Sequence, residues 1–463
     1  MIGIEFPRVE RPIVSVVMVT YGRWDWITRA FDALVKHTPP IYEVIVVDNA
    51  SPDGTGERLA ASLTGARLIR NEKNFGFGAG VNIGASHSAG RFLCILNSDA
   101  LVQPGWLEPT LELLERDASV ASVVPRYLSL DGTLQEAGAL VSGDGTTVAL
   151  GAGEDPEAFE YRFPREVDYG TAACMLVRRS AFVEVGGFDP AYPMGYCEDV
   201  DFGFRLQEKG LRTVYEPRSR VAHAGGASST PWEIERLVGL NTRVLRARWP
   251  HKLARRPSLA ERGAHPYRVI AARDAEINDR VLVVAREVPP GEGSRAGWLL
   301  ARLVSRWPNA RVTLLAADAA RAGEFAPAWL EQGIEVACAP ADANRWFRER
   351  LLHESVVIVM GAACAAAFGA DVRTTQPQAF VAYDLDRGDA TEGGTQLRST
   401  DVEAMRSAGA VFCATEAERL FAQGLAGDTP CFLLPASDEG EPILEQVMAR
   451  AGLAPAAPAR TPA

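Results

Sequence analysis

Residues 12–51 read PIVSVVMVTYGRWDWITRAFDALVKHTPPIYEVIVVDNAS. The stretch 12–21 is almost continuously apolar and rich in Val, 24–36 has the pattern of a helix, and 42–51 is a second apolar run stopping at Asp48. Strands apolar along their whole length are buried on both faces, as in a parallel sheet covered by helices. The scheme repeats in ARLIRN at 66–71, a glycine-rich segment with a helix at 79–88, and RFLCILNSDA at 91–100. Polar residues gather where these strands end: Thr20, Asp48, Asn49, Asn97 and Asp99. In an open α/β sheet that edge is where ligands bind.

From 101 to 230 the pattern is mixed. A helix is expected at about 105–116, a strand at 120–124, a loop-rich stretch with DGT and GDGTT turns, a helix at 198–209 and the strand LRTVYEP. Residues 232–249 read as helical. A second alternation starts near 280: RVLVVAR, a helix at 295–306, RVTLLAA, a helix at 325–332, IEVAC and a helix at 343–352. It continues through SVVIVM, AFVAYDLD, AVFCAT, a helix at 416–425, CFLLP and a helix at 441–451. The expected division is therefore a first α/β domain at 1–232, a basic helical extension and linker at 233–277, a Rossmann-like α/β domain at 278–453 and a Pro/Ala tail at 454–463.

The 463 residues include 48 Lys+Arg and 59 Asp+Glu, for a formal charge of −11, with 47% hydrophobic and 23% charged residues. That balance excludes a mostly disordered or collagen-like chain and argues against a nucleic-acid partner. The average conceals NTRVLRARWPHKLARR at 241–256, where Arg243, Arg246, Arg248, Lys252, Arg255 and Arg256 occur without an acid. This run reads either as a solvated basic helix or as a surface for an anionic lipid headgroup or pyrophosphate-linked acceptor. Trp249 within it favours peripheral membrane contact. Seven widely spaced cysteines with no CxxC point to free thiols in a reducing compartment. The start MIGIEFPRVERP has no signal-peptide pattern. The apolar stretch at 356–370 falls short of the roughly 20 residues of a membrane span, so a soluble cytoplasmic chain is expected.

Asn97 and Asp99, two apart just after a buried strand, can both face a divalent cation, since hard ions take oxygen ligands. An Asx turn ending the strand accounts for the same residues. Gly76, Gly78, Gly80 and Gly84, beside Asn74 and Asn82, would let backbone approach a ligand at a helix N-terminus. The segment is not GxGxxG after the first strand, and GxxxxGK[ST] is absent, which disfavours dinucleotide binding and a P-loop. YCEDVDF puts Glu198, Asp199 and Asp201 at a helix start, where they either complement the helix dipole or supply a general base. His223, following a strand and read as part of a polar loop beside glycines, has the most site-like setting of the histidines.

Taken together, VSVVMVTYGR, YEVIVVDNASPDGT, NEKNFGFGAGVNIG, LNSDALVQPGWL, GTAACMLVRRSAFVEVGGFD, YCEDVDFGFRLQEKG and VAHAGGAS resemble, in order over about 12–230, the inverting family 2 glycosyltransferases of GT-A fold. The likeness is strongest to their bacterial rhamnosyltransferase-like branch. The resemblance implies that Thr20, Asp48 and Asn49 hold the nucleotide base and ribose, and that Asn74, Gly76 and Gly78 line the nucleotide and diphosphate. It makes Asp99 the metal-binding residue of a DxD-type element and His223 a histidine reaching the metal or diphosphate, with Mg²⁺ or Mn²⁺ as cofactor. Asn97 stands at the first DxD position, where an amide oxygen can ligate directly or hold a metal-bound water. Asp199, in an ED motif, is implied as catalytic base, with Glu198 and Asp201 supporting the acceptor and loop. Gly170, Thr171, Ala172 and Ala173 would border the acceptor sugar.

The implied activity moves a sugar from a nucleotide-diphosphate donor to a surface-glycan or polyprenyl-linked acceptor. L-rhamnose is the leading donor sugar; UDP-galactofuranose, UDP-glucose and UDP-GlcNAc are alternatives, as is a non-catalytic sugar-binding scaffold. In the second domain, VLVVAREVPPGEGS, DVEAMRSAGAVFCATEAERLFAQ and CFLLPAS resemble the N-terminal Rossmann-like half of GT-B transferases. With one half only, no independent transfer is expected there. Acceptor binding, homo-oligomer formation and partner docking are its open roles.

Overall fold

The computed structural model describes residues 3–226, 230–256, 277, 279–338, 354–385 and 399–455. Contacts divide the chain into two units, Met1–Ala264 and His265–Ala463. The opening run becomes strand β1 (Val14–Thr20), helix α1 (Trp24–His37) and strand β2 (Tyr42–Asp48). Helix α1 buries Ile27, Ala30, Phe31 and Leu34, the i, i+3, i+4, i+7 stripe of an amphipathic helix. There follow β3 (Arg67–Arg70), α2 (Phe77–Ser86), β4 (Phe92–Leu96), β5 (Ala100–Val102), β6 (Val120–Leu128) and β7 (Leu134–Glu136). The unit continues with β8 (Arg165–Val167), β9 (Cys174–Arg178), α3 (Glu198–Glu208), β10 (Arg212–His223) and α4 (Pro231–Arg248).

These strands form one sheet in the order β8-β10-β6-β9-β4-β1-β2-β3, with β5 on β10 and β7 on β6. Strands β1 to β4 run parallel, as their apolar runs led one to expect, while β9 lies antiparallel between β4 and β6, so the sheet as a whole is mixed. Thr20 stands opposite Asp48, Asp48 opposite Arg70, and Val17 opposite Ile95. The three parallel strands β1, β2 and β4 therefore finish along one edge, which brings Thr20, Asn49 and Asn97 together.

Strand β10 runs well beyond LRTVYEP because Val221, Ala222 and His223 pair with Val102, Leu101 and Ala100. His223 is thus the last residue of a strand rather than part of a polar loop, and the register sets it beside Asp99.

Helix α4 starts at a capping box, with Thr230 and Glu233 exchanging hydrogen bonds. The basic run at 241–256 departs from its reading as an open cationic surface. Trp249 is buried, and its indole N–H donates to Asp201 at 2.9 Å. Arg246 donates to the Asp144 carbonyl, Arg248 pairs with Asp189 and Asp201, Lys252 with Glu208, and Arg256 with Asp168. Three of the six cations thus pair with the unit's own acids and a fourth bonds its backbone, a use that one-dimensional charge counting does not register.

The second unit contains β11 (Arg280–Glu287), α5 (Arg295–Arg306), β12 (Arg311–Asp318), β13 (Glu335–Cys338), β14 (Val356–Met360) and α6 (Gly361–Thr375). Strands β15 (Phe380–Asp384), β16 (Ala410–Cys413) and β17 (Cys431–Leu433) complete a seven-stranded sheet ordered β13-β12-β11-β14-β15-β16-β17. Every pairing is parallel, giving the Rossmann-like architecture with its switch point between β11 and β14. The stretch at 356–370 is strand β14 running into α6, and among the described residues no helix is long and apolar enough to cross a membrane. The helix expected at 343–352, most of the linker at 255–277 and most of the tail lie outside the described residues. The six cysteines whose side chains are described are free.

Candidate active site

At the polar edge of the first sheet opens a cleft of about 640 Å³. Its walls include Thr20, Asn49, Asn74, Asn97, Asp99, Glu136, Thr171, Ala172, Ala173, Glu198, Asp199 and His223. Most of the residues singled out from the sequence thus meet in one cavity.

On one side lies an asparagine-lined turn. Asn71 donates to Asn49 Oδ1 at 2.7 Å, Asn49 donates to the Gly76 carbonyl at 3.0 Å, and Asn74 Oδ1 accepts from the Gly76 N–H at 2.8 Å. Gly76 has φ +89°, and a Cβ there would lie 2.7 Å from the Met194 backbone, so the turn requires glycine. Gly78 follows in the first turn of α2, against Phe188. Asp48 is absent from the wall: it is buried, accepts from the Ser51 N–H and hydroxyl, and lies 4.0 Å from Arg70. These bonds brace the turn at 48–51.

At the floor, His223 Nε2 lies 3.3 Å from Asp99 Oδ1. The histidine's tautomer follows from Gln135, whose amide N–H donates to the His223 carbonyl at 3.1 Å, leaving its Oε1 to face Nδ1 at 2.9 Å. Nδ1 must therefore carry the hydrogen, and in the neutral ring Nε2 presents a lone pair to a carboxylate. Nε2 is buried and makes no hydrogen bond within the described residues. Two acceptors facing each other at this distance suit a cation between them. Among the described residues no set of three or more His, Cys, Asp and Glu side chains forms a metal cluster, so a cation here would need further ligands from a bound substrate. Asn97 lines the same floor, and its N–H donates to the Ala173 carbonyl at 2.8 Å.

On the other side, Asp199 accepts from the Val200 N–H at 2.9 Å and, more loosely, from the Ala172 N–H at 3.4 Å. Burial pushes its carboxyl up to about 6, against the lowering by these N–H donors. Burial and the adjacent Asp199 charge push Glu198 well above the ordinary glutamate range. Asp201 is buried away from the cleft, held by Arg205 at 2.6 Å, Tyr192 at 3.2 Å and Trp249 at 2.9 Å. It anchors α3 and is not among the residues lining the cleft. Gly170 lies behind the wall, where a Cβ would meet Val124 at 2.1 Å, while Thr171, Ala172 and Ala173 face the cavity.

Four contributors were not legible locally. Gln135 orients His223. Glu136, pushed up to about 7 chiefly by burial, accepts the Thr171 N–H at 3.2 Å and hydroxyl at 2.6 Å. Glu233 and Arg236 of α4 close the far wall. Nothing in LQEAG marks Gln135 and Glu136, because their partners are distant in the chain, and the local capping role of Glu233 does not by itself place it on a cleft wall.

The family model "Glycosyl transferase family 2" matches residues 15–186, inside the first unit. N-acetylglucosaminyl-diphospho-decaprenol L-rhamnosyltransferase of Mycobacterium tuberculosis is 31% identical over 234 residues, 46% of this chain and 76% of that protein. The O-antigen biosynthesis protein RfbC of Myxococcus xanthus is 30% identical over 49% of this chain and 18% of its own length. The pre-mycofactocin glycosyltransferase of Mycobacterium tuberculosis is 33% identical over 46% of this chain and 44% of its own length. Sheet, cleft and these likenesses agree: the chain belongs to glycosyl transferase family 2.

Proposed function

We propose that this glycosyltransferase works by metal-assisted single displacement with inversion, moving a sugar, L-rhamnose first among the candidates, from a nucleotide-diphosphate donor to a hydroxyl of a polyprenyl-linked or surface-glycan acceptor. The observation that carries the reading is the opposition, across one cleft, of Asp199 and the Asp99–His223 pair. Asp199, raised to about 6, is ionised at neutral pH yet basic enough to accept a proton from an attacking hydroxyl. Mg²⁺ or Mn²⁺ held by Asp99 and His223, with Asn97 beside them, would supply positive charge to the leaving diphosphate. Thr20, Asn49, Asn74 and the Gly76–Gly78 turn hold the nucleotide. Thr171, Ala172 and Ala173 with Glu198 border the acceptor, and Glu136 keeps Thr171 in place. Screening nucleotide sugars for transfer or hydrolysis with Mn²⁺ tests the donor: preference for a deoxythymidine-diphosphate rhamnose supports it, and an equal response to every sugar refutes it.

The likeness to a protein named for a diphospho-decaprenol substrate supports a lipid-linked acceptor. Arg236, on the cleft wall and exposed, is then the cation for its pyrophosphate, a part that 241–256 offered as one of two readings. The outward stripe Trp232, Arg236, Leu240 and Arg243 of α4 meets the membrane, with Trp232 69% and Leu240 43% exposed. A Trp232→Ala/Leu240→Ala variant should lose several-fold binding to phosphatidylcholine–phosphatidylglycerol vesicles in a flotation assay. Undiminished binding would exclude this face as the contact. The second unit, read as one GT-B-like half, serves binding rather than transfer, in keeping with its parallel sheet.

A further inference from the structure

The segment leading into Asp199 is backbone-strained. Met194, Gly195, Tyr196 and Cys197 have φ of 68°, 142°, 73° and 68°, four consecutive positive values of which three belong to residues with a Cβ. Such conformations are costly for residues with a Cβ and persist only where surrounding structure imposes them. Much of that constraint comes from one side chain on α4. Asn241 is fully buried, and its Nδ2 donates to the carbonyls of Pro193 (3.3 Å), Gly195 (2.7 Å) and Tyr196 (3.0 Å). Its own Oδ1 is buried without a hydrogen bond among the described residues. An apolar residue here would leave these carbonyls without that donor, even though Leu245 and Trp249 of the same region sit in an apolar cluster with Cys197 and Val200.

The strained segment touches both halves of the reaction centre. The Phe77 N–H, first of α2, donates to the Met194 carbonyl at 3.1 Å, and Gly76 abuts the Met194 backbone. On its other side the Cys197 carbonyl accepts from the Asp201 N–H at 3.0 Å, opening helix α3 with Asp199 in its first turn. We infer that Asn241 is a positioning residue for transfer: by pinning the carbonyls of Pro193, Gly195 and Tyr196 it fixes the separation between the donor-side glycine turn and Asp199. This rests on the reading of Asp199 as base. Asn241 lies beyond residues 15–186, so a helix outside the family match completes the geometry of the site.

The test compares full-length Asn241→Ala with wild type, with Asp199→Asn, and with Leu34→Ala, a buried truncation in α1 that lowers stability elsewhere. A misplacement of about 1 Å costs on the order of 100-fold in rate. Asn241→Ala should therefore lose about 10–100-fold in kcat, shift the acidic limb of its pH profile downward as water reaches Asp199, and exchange the Phe77 amide faster in hydrogen-exchange mass spectrometry. Leu34→Ala should lower Tm without moving the limb or the Phe77 amide. Unchanged kcat and amide protection in Asn241→Ala overturn the inference, as does an equal effect in Leu34→Ala. If Asp199→Asn keeps full activity, the base assignment fails instead, and Phe77 exchange still judges whether Asn241 holds the segment.

Discussion

Asp199→Asn is expected to lower kcat by about 10²–10⁴-fold, the range for removing a positioned general base, with donor affinity nearly unchanged. The same substitution should stabilise the fold. The Asp199 carboxyl rises from 3.8 to about 6 and Glu136 from 4.5 to about 7, both mainly through burial. The folded protein therefore binds these protons more tightly than the unfolded chain. Their contribution to stability is full at pH below about 4 and is lost as pH climbs through 6 to 7. Asparagine has no charge to bury. The Tm of Asp199→Asn should thus match wild type near pH 4 and exceed it by a few degrees at pH 7.5, reflecting about 1–3 kcal/mol. Calorimetry at both pH values reads this directly, and a Tm difference independent of pH would show that burial of the ionised carboxylate is not the source.

Asp99→Asn should cost about 10²–10³-fold in kcat, because it removes the only formal negative charge of the proposed cation pair. Wild-type activity should vanish in EDTA and return with Mn²⁺ or Mg²⁺. Gln135→Leu frees the His223 ring to take either tautomer while leaving both proposed ligands in place. About 10-fold weaker activation by Mn²⁺ is expected, the scale found when a partner of a ligating histidine is removed. Full activity of Asp99→Asn in EDTA would remove the cation from the mechanism. Titration of Mn²⁺ binding by calorimetry, in the presence of nucleoside diphosphate, separates lost affinity from lost rate.

The first sheet was largely legible because continuous apolar runs admit few solutions: β1, β2 and β4 fall inside their runs, and α1 extends its reading by one residue. Parallel strands ending at one edge then make Thr20, Asn49, Asn97 and Asp99 neighbours. Two kinds of placement escaped. His223 read as part of a loop, since the pairing that extends β10 involves β5 and β6, far along the chain. The basic run at 241–256 read as an open surface, since charge patterning shows which side chains are cationic and not which acids they meet.

What the chain order and residue types determined by themselves are the two α/β units and the polar sheet edge, because periodicity is a local property, while Asp99, Asp199 and His223 were singled out as candidates that the structure brings into one cleft. Only the tertiary structure decided which groups surround them. Gln135 fixes a tautomer, Glu136 holds Thr171, Asp48 and Asp201 turn away from the cleft, and Asn241 grips the strained approach to Asp199. Each of these depends on burial and on hydrogen bonds between residues distant in sequence, where the energy of a polar group is set by its neighbours in space and not by its place in the chain.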